Sequence, residues 1–584
     1  METIVRYNED ALYKLRRRKI ALGEMKGEIT GYPSIDMPWL KYYTEEQILA
    51  PIPNMTALEY LKVLNNNNLN IPAIEFLGKQ ITYLELFKKI NDTTKSLHAL
   101  GVKPGEIVTI MLPACPEEVF LFYAIDQIGA CANFVFPGTP LNEVEHNMEE
   151  FNSRKLIILD DILMQPNNLV NNSKYNIVTT SLTGEHKVKG KNIYTWDTFD
   201  KLSKYVEMPI YKRNQEEPLF IAKTGGSTGK PKAVVINDRG FNLQVQQHLN
   251  TSQNYEAGDR WLRLWPLFSA SAAVSSNHLP LCAGMHMIIE PYFTLENIDE
   301  IILKHKPSHM PFIGSGIDFL IKSPRIQKEG LSFMKSLGVG GEAISEETEL
   351  KANEFLSSYN IEENVRIGYG MTENSSGAAA RFNKETSALG STGIPQLNTV
   401  IAVFNPETDE ELKYGEEGEI CVLSSTFMLG YYNDPEATNS VLKKHKDGRT
   451  WLHSGDIGHM DQDGKIYIKG RMKRVISLYI GNKIFPSELE KLIELIDEVE
   501  KAVVVPELDL DHPGCVKPCC FITLNKTLSI EELKEKINNQ FIGLADYVKI
   551  DTIYIRDELP KTAIGKIDLK ELEEEAKSLS KKKQ

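Results

Sequence analysis

Thr224-Gly225-Gly226-Ser227-Thr228-Gly229-Lys230-Pro231-Lys232 stands between two short apolar runs, residues 219–222 and 233–236. Glycine lacks a Cβ, so such a loop can turn tightly and bring backbone N–H groups against phosphate oxygens. Thr224, Ser227 and Thr228 add hydroxyl donors, and Lys232 adds positive charge. A plain turn between two strands has a similar composition, so the loop alone leaves both readings open. It departs from the nucleoside-triphosphatase P-loop, which continues from Gly-Lys-Ser/Thr into a helix. Here Pro231 follows Gly229-Lys230 and a strand-like run comes next. An ordinary P-loop kinase is not expected.

Around this loop the chain alternates short apolar runs with amphipathic segments, the pattern of α/β architecture. Residues 107–111, 233–236 and 287–290 read as strands covered on both faces. Residues 82–100 read as a helix: Thr82 and Glu85 have capping-box spacing, and Leu86, Phe87, Ile90, Leu97 and Leu100 contribute to one apolar stripe. Gly101 and Pro104-Gly105 end it. A second helix is expected over 116–128, with Pro116 at its first position and Gly129 after its end. From about Arg471 the chain turns short, mixed and charged, with helices expected near 486–496 and 530–538. A domain boundary is placed near Lys473.

Bulk properties narrow the class. A chain of 584 residues exceeds one compact core, so two or more domains are expected. The net charge of −14 disfavours nucleic acid as a partner. No run of roughly 18 apolar residues predicts a membrane span. The basic stretch at residues 14–19 is not followed by an apolar run, so it does not read as a signal peptide. An odd count of 7 cysteines suggests reduced thiols and a cytoplasmic location. Cys515, Cys519 and Cys520 do not fit a zinc spacing. The Asn-rich stretches at 65–68 and 167–172 read as loops, and Lys581, Lys582 and Lys583 as a frayed, solvated end.

Further blocks follow the glycine-rich loop in order. They are Gly340-Gly341-Glu342-Ala343, Tyr369-Gly370-Met371-Thr372-Glu373, Gly390-Ser391-Thr392-Gly393-Ile394-Pro395, Gly430-Tyr431-Tyr432, Ser454-Gly455-Asp456, Gly470-Arg471-Met472-Lys473 and Pro560-Lys561-Thr562 with Gly565-Lys566-Ile567. Together they resemble the motifs of the adenylate-forming, AMP-binding superfamily, which comprises acyl-CoA synthetases, adenylation domains of nonribosomal peptide synthesis and beetle luciferases. The resemblance covers roughly residues 55–572. It implies an α/β fold: a large N-terminal domain of mixed α/β layers with parallel-rich sheets and a β subdomain, plus a small mobile α+β C-terminal domain. Residues 1–54 then form an N-terminal extension, 55–472 the ATP- and acyl-binding domain, and 473–584 the small domain with the catalytic lysine.

The resemblance also implies roles. ATP, Mg²⁺ and coenzyme A are the expected cofactors, and a small-molecule carboxylic acid the substrate. Thr224, Gly225, Gly226, Ser227, Thr228, Gly229 and Lys232 cover the β- and γ-phosphates. Glu373 holds Mg²⁺ and Thr372 meets the α-phosphate. Gly341, Glu342 and Ala343 line the adenine, on which Tyr369, followed by Gly370, stacks. Asp456 and Arg471 take the ribose. Lys566 bridges carboxylate and α-phosphate, Lys473 is the hinge, and Gly481 lines the thiol tunnel. The step from Lys473 to Gly481 is one residue longer than in relatives. Residues 265–271 contain no acid to hold an α-ammonium group, and Ser269 stands where many acyl and aryl ligases carry His. A fatty acid is the leading substrate, with Phe268, His309, Met310, Phe312 and Ile313 as pocket or core residues. Alternatives are an acyl-AMP ligase loading an acyl carrier protein, a luciferase-like oxygenase and an inactive nucleotide-binding scaffold.

Overall fold

The computed structural model describes residues 29–170, 172–224, 231–251, 254–341, 344–361, 364–479, 482–545, 547–561 and 567–582. Three sheets build the larger part of the molecule. An eight-stranded sheet places Cys131–Phe134, Ile107–Met111, Lys155–Leu159, Asn176–Thr180 and Ile193–Thr195 side by side in parallel. Its other end is Pro218–Lys223, Ala233–Asn237 and Gly430–Tyr431, where pairing turns antiparallel. A nine-stranded sheet has parallel neighbours from Pro72–Phe76 through His286–Ile289, Arg260–Arg263, His309–Phe312 and Ser336–Val339 to Arg366–Met371. Strands such as Ile107–Met111, Ala233–Asn237 and His286–Ile289 are buried along nearly their whole length, as strands covered on both faces are. The third sheet is antiparallel and centres on Gly418–Ser424 and Thr450–Met460.

The helix expected over 82–100 spans Tyr83–Ala99, capped by Thr82 with Glu85 completing the capping box. The helix expected over 116–128 spans Pro116–Ile128 and ends at Gly129, φ 78°. It is buried on every face and carries two acids into the core. One of them, Asp126, lies with Asp238 on the Arg213 guanidinium, at 3.2 and 2.7 Å. The same carboxylates accept from the backbone N–H groups of Leu58 and Ala57. These N–H groups open the helix Ala57–Leu64, where a helix needs acceptors. Asn65, in a stretch expected as loop, is fully buried where that helix ends and donates to the carbonyls of Leu61 and Leu281.

The C-terminal part has its own cores. Val499–Leu508, Val516–Leu524 and Thr552–Ile555 form a three-stranded sheet. Side chains alternate across it, so Cys519 and Cys520 enter opposite apolar clusters. The helix expected over 486–496 ends at Ile493, because the next residues tighten into i→i+3 turns. Of the lysines expected as a frayed, solvated end, Lys581 and Lys582 are exposed but helical, and Lys583 lies outside the described residues. Lys581 and Lys582 form the last turn of helix Leu569–Lys582, whose Leu572, Ala576 and Ser580, four apart, are buried. Among the described residues no helix is long and apolar enough to cross a membrane.

Replacing Arg213 by Met leaves two buried carboxylates facing each other. The expected loss is about 3–5 kcal/mol of stability, read as a lower midpoint for the large domain in urea. An unchanged midpoint would show that the pair is protonated and self-sufficient.

Candidate active site

The glycine-rich loop joins two antiparallel strands, Pro218–Lys223 and Ala233–Asn237, with Lys223 opposite Ala233. Its neck is pinned twice. Thr224 N–H donates to the Lys232 carbonyl at 2.9 Å, and Lys232 N–H donates to Thr224 Oγ1 at 3.0 Å. Gly225, Gly226, Ser227, Thr228 and Gly229 lie outside the described residues. The Lys232 ammonium sits 4.6 Å from the centre of the Tyr431 ring, a cation–π distance.

The strand Arg366–Met371 runs into a tight turn, Thr372–Asn374, and returns as Ser376–Ala380. The register slips between Tyr369 and Gly370. A Cβ on Gly370 would fall 1.9 Å from the Ser376 carbonyl oxygen, so only glycine fits. The turn is tied from several sides. Thr426 Oγ1 donates to Asn374 Oδ1 at 2.7 Å, Ser375 Oγ to the Thr426 carbonyl at 2.6 Å, and Gln244 Nε2 to the Asn374 carbonyl at 3.0 Å. Met428 N–H donates to the Glu373 carbonyl at 2.9 Å. Tyr431 O–H donates to Glu373 Oε1 at 2.7 Å. Burial first, and the Glu373 charge second, push the Tyr431 phenol far up, so it stays a neutral donor. Among the described residues none donates to Glu373 Oε2.

Ser454-Gly455-Asp456 lies in strand Thr450–Met460, with Asp456 opposite Arg471. Arg471 Nε is 2.9 Å from Asp456 Oδ1, and Tyr369 O–H donates to Oδ2 at 2.7 Å. Burial raises the Asp456 carboxyl, against the opposing pull of Arg471 and the Tyr369 hydroxyl. The Tyr369 phenol is raised by burial and then by Asp456. Asp456 is 4% exposed and stands just behind the wall that Ser454, Gly455 and Arg471 present. Gly341 follows strand Ser336–Val339 with φ +80°, a left-handed conformation suited to glycine. Glu342 and Ala343 lie outside the described residues.

One cleft of about 3350 Å³ gathers these parts. Thr224, Lys232, Gly341, Tyr369, Gly370, Thr372, Glu373 and Arg471 line it, as do Lys473, Lys561 and Ile567. Lys473 sits in the short turn Met472–Arg474 between two anchors. Arg471 is bound to Asp456, while Arg474 pairs with Glu490 and donates to the Val504 carbonyl at 3.2 Å. Lys561 and Ile567 bridge antiparallel. Lys566 and Gly481 lie outside the described residues. Phe268, Met310, Phe312 and Ile313 line the cleft. His309 does not. It is wholly buried, bonded to Ser336 Oγ at 2.8 Å and Asp259 Oδ2 at 3.0 Å, and burial pulls its pKa down to about 4. Ser269 caps the helix Ala270–Ala273 through its Oγ, which accepts from Ala272 N–H at 3.2 Å.

Residues 62–432 match the family of AMP-binding enzymes, and residues 488–566 match the AMP-binding enzyme C-terminal domain. The chain belongs to the AMP-binding enzyme family. As a member of this adenylate-forming family it is an acid–thiol ligase of the AMP-forming acyl-CoA ligase type. It is 29% identical over 570 residues to a long-chain-fatty-acid–CoA ligase of Bacillus subtilis, covering 92% of this chain and 98% of that protein. It is 28% identical over 516 residues to 4-coumarate–CoA ligase 4 of Arabidopsis thaliana, covering 85% and 86%. The fold superposes on the anthranilate CoA ligase AuaEII in complex with anthranoyl-AMP with TM-score 0.79 at 21% identity, covering 91% and 99%. In this AMP-binding enzyme, Gln244, Asn374, Thr426 and Tyr431 shape the Thr372–Glu373 turn, although the sequence reading gave them no role. Gln244 and Thr426 lie 128 and 54 residues from Thr372, counted along the numbering, so only the fold brings them there.

Tyr431→Phe removes one charge-assisted hydrogen bond to Glu373. Adenylate formation is expected to fall about 10- to 100-fold in kcat/KM, with the fold intact by circular dichroism. Unchanged kinetics would separate the Glu373–Tyr431 contact from catalysis.

Proposed function

We propose that this enzyme activates a carboxylic acid with ATP and passes the acyl group to coenzyme A. The observation that carries the reading is the shared cleft. The neck of the glycine-rich loop, the Thr372–Glu373 turn, Arg471 and the residue next to Lys566 all face one space. In the first half-reaction a substrate carboxylate oxygen attacks the α-phosphorus in line, and the bond to pyrophosphate breaks. In the second, the thiol sulfur attacks the acyl carbon and AMP leaves. Two anions must meet in the first step, so positioned cations and donors carry most of the gain.

In this reading Thr224 to Lys232 cover the β- and γ-phosphates, and Thr372 meets the α-phosphate. Gly341, Glu342 and Ala343 flank the adenine beside Tyr369. Asp456 takes the ribose hydroxyls; a carboxylate has about four lone-pair sites, so the bonds from Tyr369 and Arg471 leave room for more. The carboxylate of Glu373 and hydroxyl of Thr372 are hard oxygen donors at the cleft wall, suited to magnesium, which would neutralise the triphosphate. Lys566 supplies the charge between carboxylate and α-phosphate. Residues 1–54, 55–472 and 473–584 act as extension, large domain and small domain. Lys473, between its two anchored neighbours, is the hinge, and the segment with Gly481 approaches the thiol.

A fatty acid suits the pocket best. Phe268, Met310, Phe312 and Ile313 are apolar, and residues 265–271 offer no acid to an α-ammonium group. The Bacillus relative spans nearly the whole chain. The cytoplasm, where ATP and coenzyme A are available, fits this role.

ATP–pyrophosphate exchange with a panel of fatty, aryl and amino acids tests the reading. Exchange with medium- or long-chain fatty acids is expected, and thioester formation with free coenzyme A. Best exchange with aryl acids would replace the substrate assignment, and transfer only to a carrier protein would replace the acceptor. Lys566→Ala is expected to abolish exchange, by about 10²-fold or more, while sparing thioester formation from supplied acyl-adenylate. An equal loss in both half-reactions would remove Lys566 from the adenylation step.

A further inference from the structure

The antiparallel sheet carries a cluster that the adenylate chemistry does not use. His445 follows the edge strand Leu442–Lys444, and His453 lies on the adjacent strand Thr450–Met460. Their Nε2 atoms stand 2.9 Å apart. His453 Nδ1 is 2.8 Å from Glu419 Oε2. Asp409, in the loop after strand Thr399–Phe404, completes the group: one oxygen of Asp409 and one nitrogen of each histidine all lie within 4.8 Å of one another.

This geometry could hold a metal ion. His453 gives its Nδ1–H to Glu419, so its Nε2 presents a lone pair. A carboxylate behind a histidine fixes the tautomer and ring orientation of metal-ligating imidazoles. Two nitrogens at 2.9 Å need one shared proton between them, and a divalent cation can take that place. With metal–nitrogen bonds of about 2.0–2.1 Å, tetrahedral ligation sets the two nitrogens about 3.3 Å apart, an opening of a few tenths of an ångström. Asp409 can close on the same point. Its side chain is 43% exposed and meets Lys443 only at 3.7 Å, a weak surface pair. Its Oδ1 is a buried atom with no hydrogen-bond partner among the described residues.

A second grouping, Glu419, Cys421 and His453, shares two of these residues. It is the poorer site, because its donors are already used. Glu419 Oε2 meets His453 Nδ1, and Glu419 Oε1 accepts from Gly455 N–H at 2.9 Å.

We propose that Asp409, His445 and His453 bind a borderline divalent transition metal of the zinc type, with Glu419 orienting His453 and a water completing the tetrahedron. Two imidazoles and one carboxylate favour such an ion over magnesium or calcium. The ion ties the 405–410 loop, the edge strand and the central strand together. Through Glu419 it braces Gly455, the neighbour of Asp456.

The test uses full-length protein stripped with a chelator. Zinc is titrated against a chromophoric indicator, and cobalt(II) is added as a spectroscopic probe. One equivalent of zinc is expected, with the visible absorption of tetrahedral cobalt. His445→Gln and the exposed Asp409→Ala should each weaken zinc binding about 10- to 100-fold. Metal-free Asp409→Ala should retain ATP–pyrophosphate exchange, which separates the metal site from the adenylation reading. Less than half an equivalent bound by the wild type, or wild-type zinc affinity in both variants, would overturn the proposal.

Discussion

Three sheets meet at one short turn. The strand Arg366–Met371 of the nine-stranded sheet delivers Thr372–Asn374, and the chain leaving Ser424 of the antiparallel sheet passes directly over it toward Gly430–Tyr431 at the edge of the eight-stranded sheet. On that passage Thr426 holds Asn374, Met428 holds the Glu373 backbone and Tyr431 holds the Glu373 carboxylate. Buried polar networks of this kind are costly when broken and rigid when complete. The joint fixes Glu373 relative to Lys232, since Tyr431 touches both. The neck of the glycine-rich loop, the Thr372–Asn374 turn and the packing of the three sheets therefore depend on the same contacts.

The proposed reaction requires two anions to be held together. The site answers with a particular division of labour. The carboxylates of Glu373 and Asp456 are each met by a tyrosine hydroxyl, and both phenols are driven by burial to remain protonated. Neutral donors orient these acids without consuming their charge. Cations come from the loop and from the far side of the cleft: Lys232 at one wall, Arg471 at another, and Lys561 on the C-terminal part. The turn at Lys473 lies between Arg471, bound to the large domain, and Arg474, bound to Glu490 and Val504 in the small one. Anchors on both sides of this turn support the proposed hinge at Lys473, since a hinge works when few residues absorb the dihedral change.

Much of this was legible in the residues. Thr82 with Glu85 and Pro116 with Gly129 bound their helices because capping is local chemistry. Continuous apolar runs at 107–111 and 233–236 marked strands that the fold covers on both faces. The motif Tyr369 to Glu373 identified the acid turn, and Gly370 explains itself only with Ser376 seen beside it. What stayed hidden is long-range. Gln244 and Thr426 reach the turn through the fold, and Asp126 and Asp238 meet on Arg213 from distant segments. His309 could be read as either pocket or core, because a strand has two faces; Asp259 and Ser336 hold it in the core. Lys581 and Lys582 read as a frayed end because charge dominates there, while Leu572, Ala576 and Ser580 set the helix that includes them.

The central claim is that the glycine-rich loop and Lys566 close on the same nucleotide. A crystal structure of the full chain with a non-hydrolysable acyl-adenylate analogue tests it most directly. The account predicts Lys566 Nζ within hydrogen-bonding distance of the group replacing the phosphate, on the opposite side from Thr372, with Asp456 on the ribose. A small domain that leaves Lys566 facing solvent while analogue fills the cleft, with no second orientation captured under adenylation conditions, would contradict it.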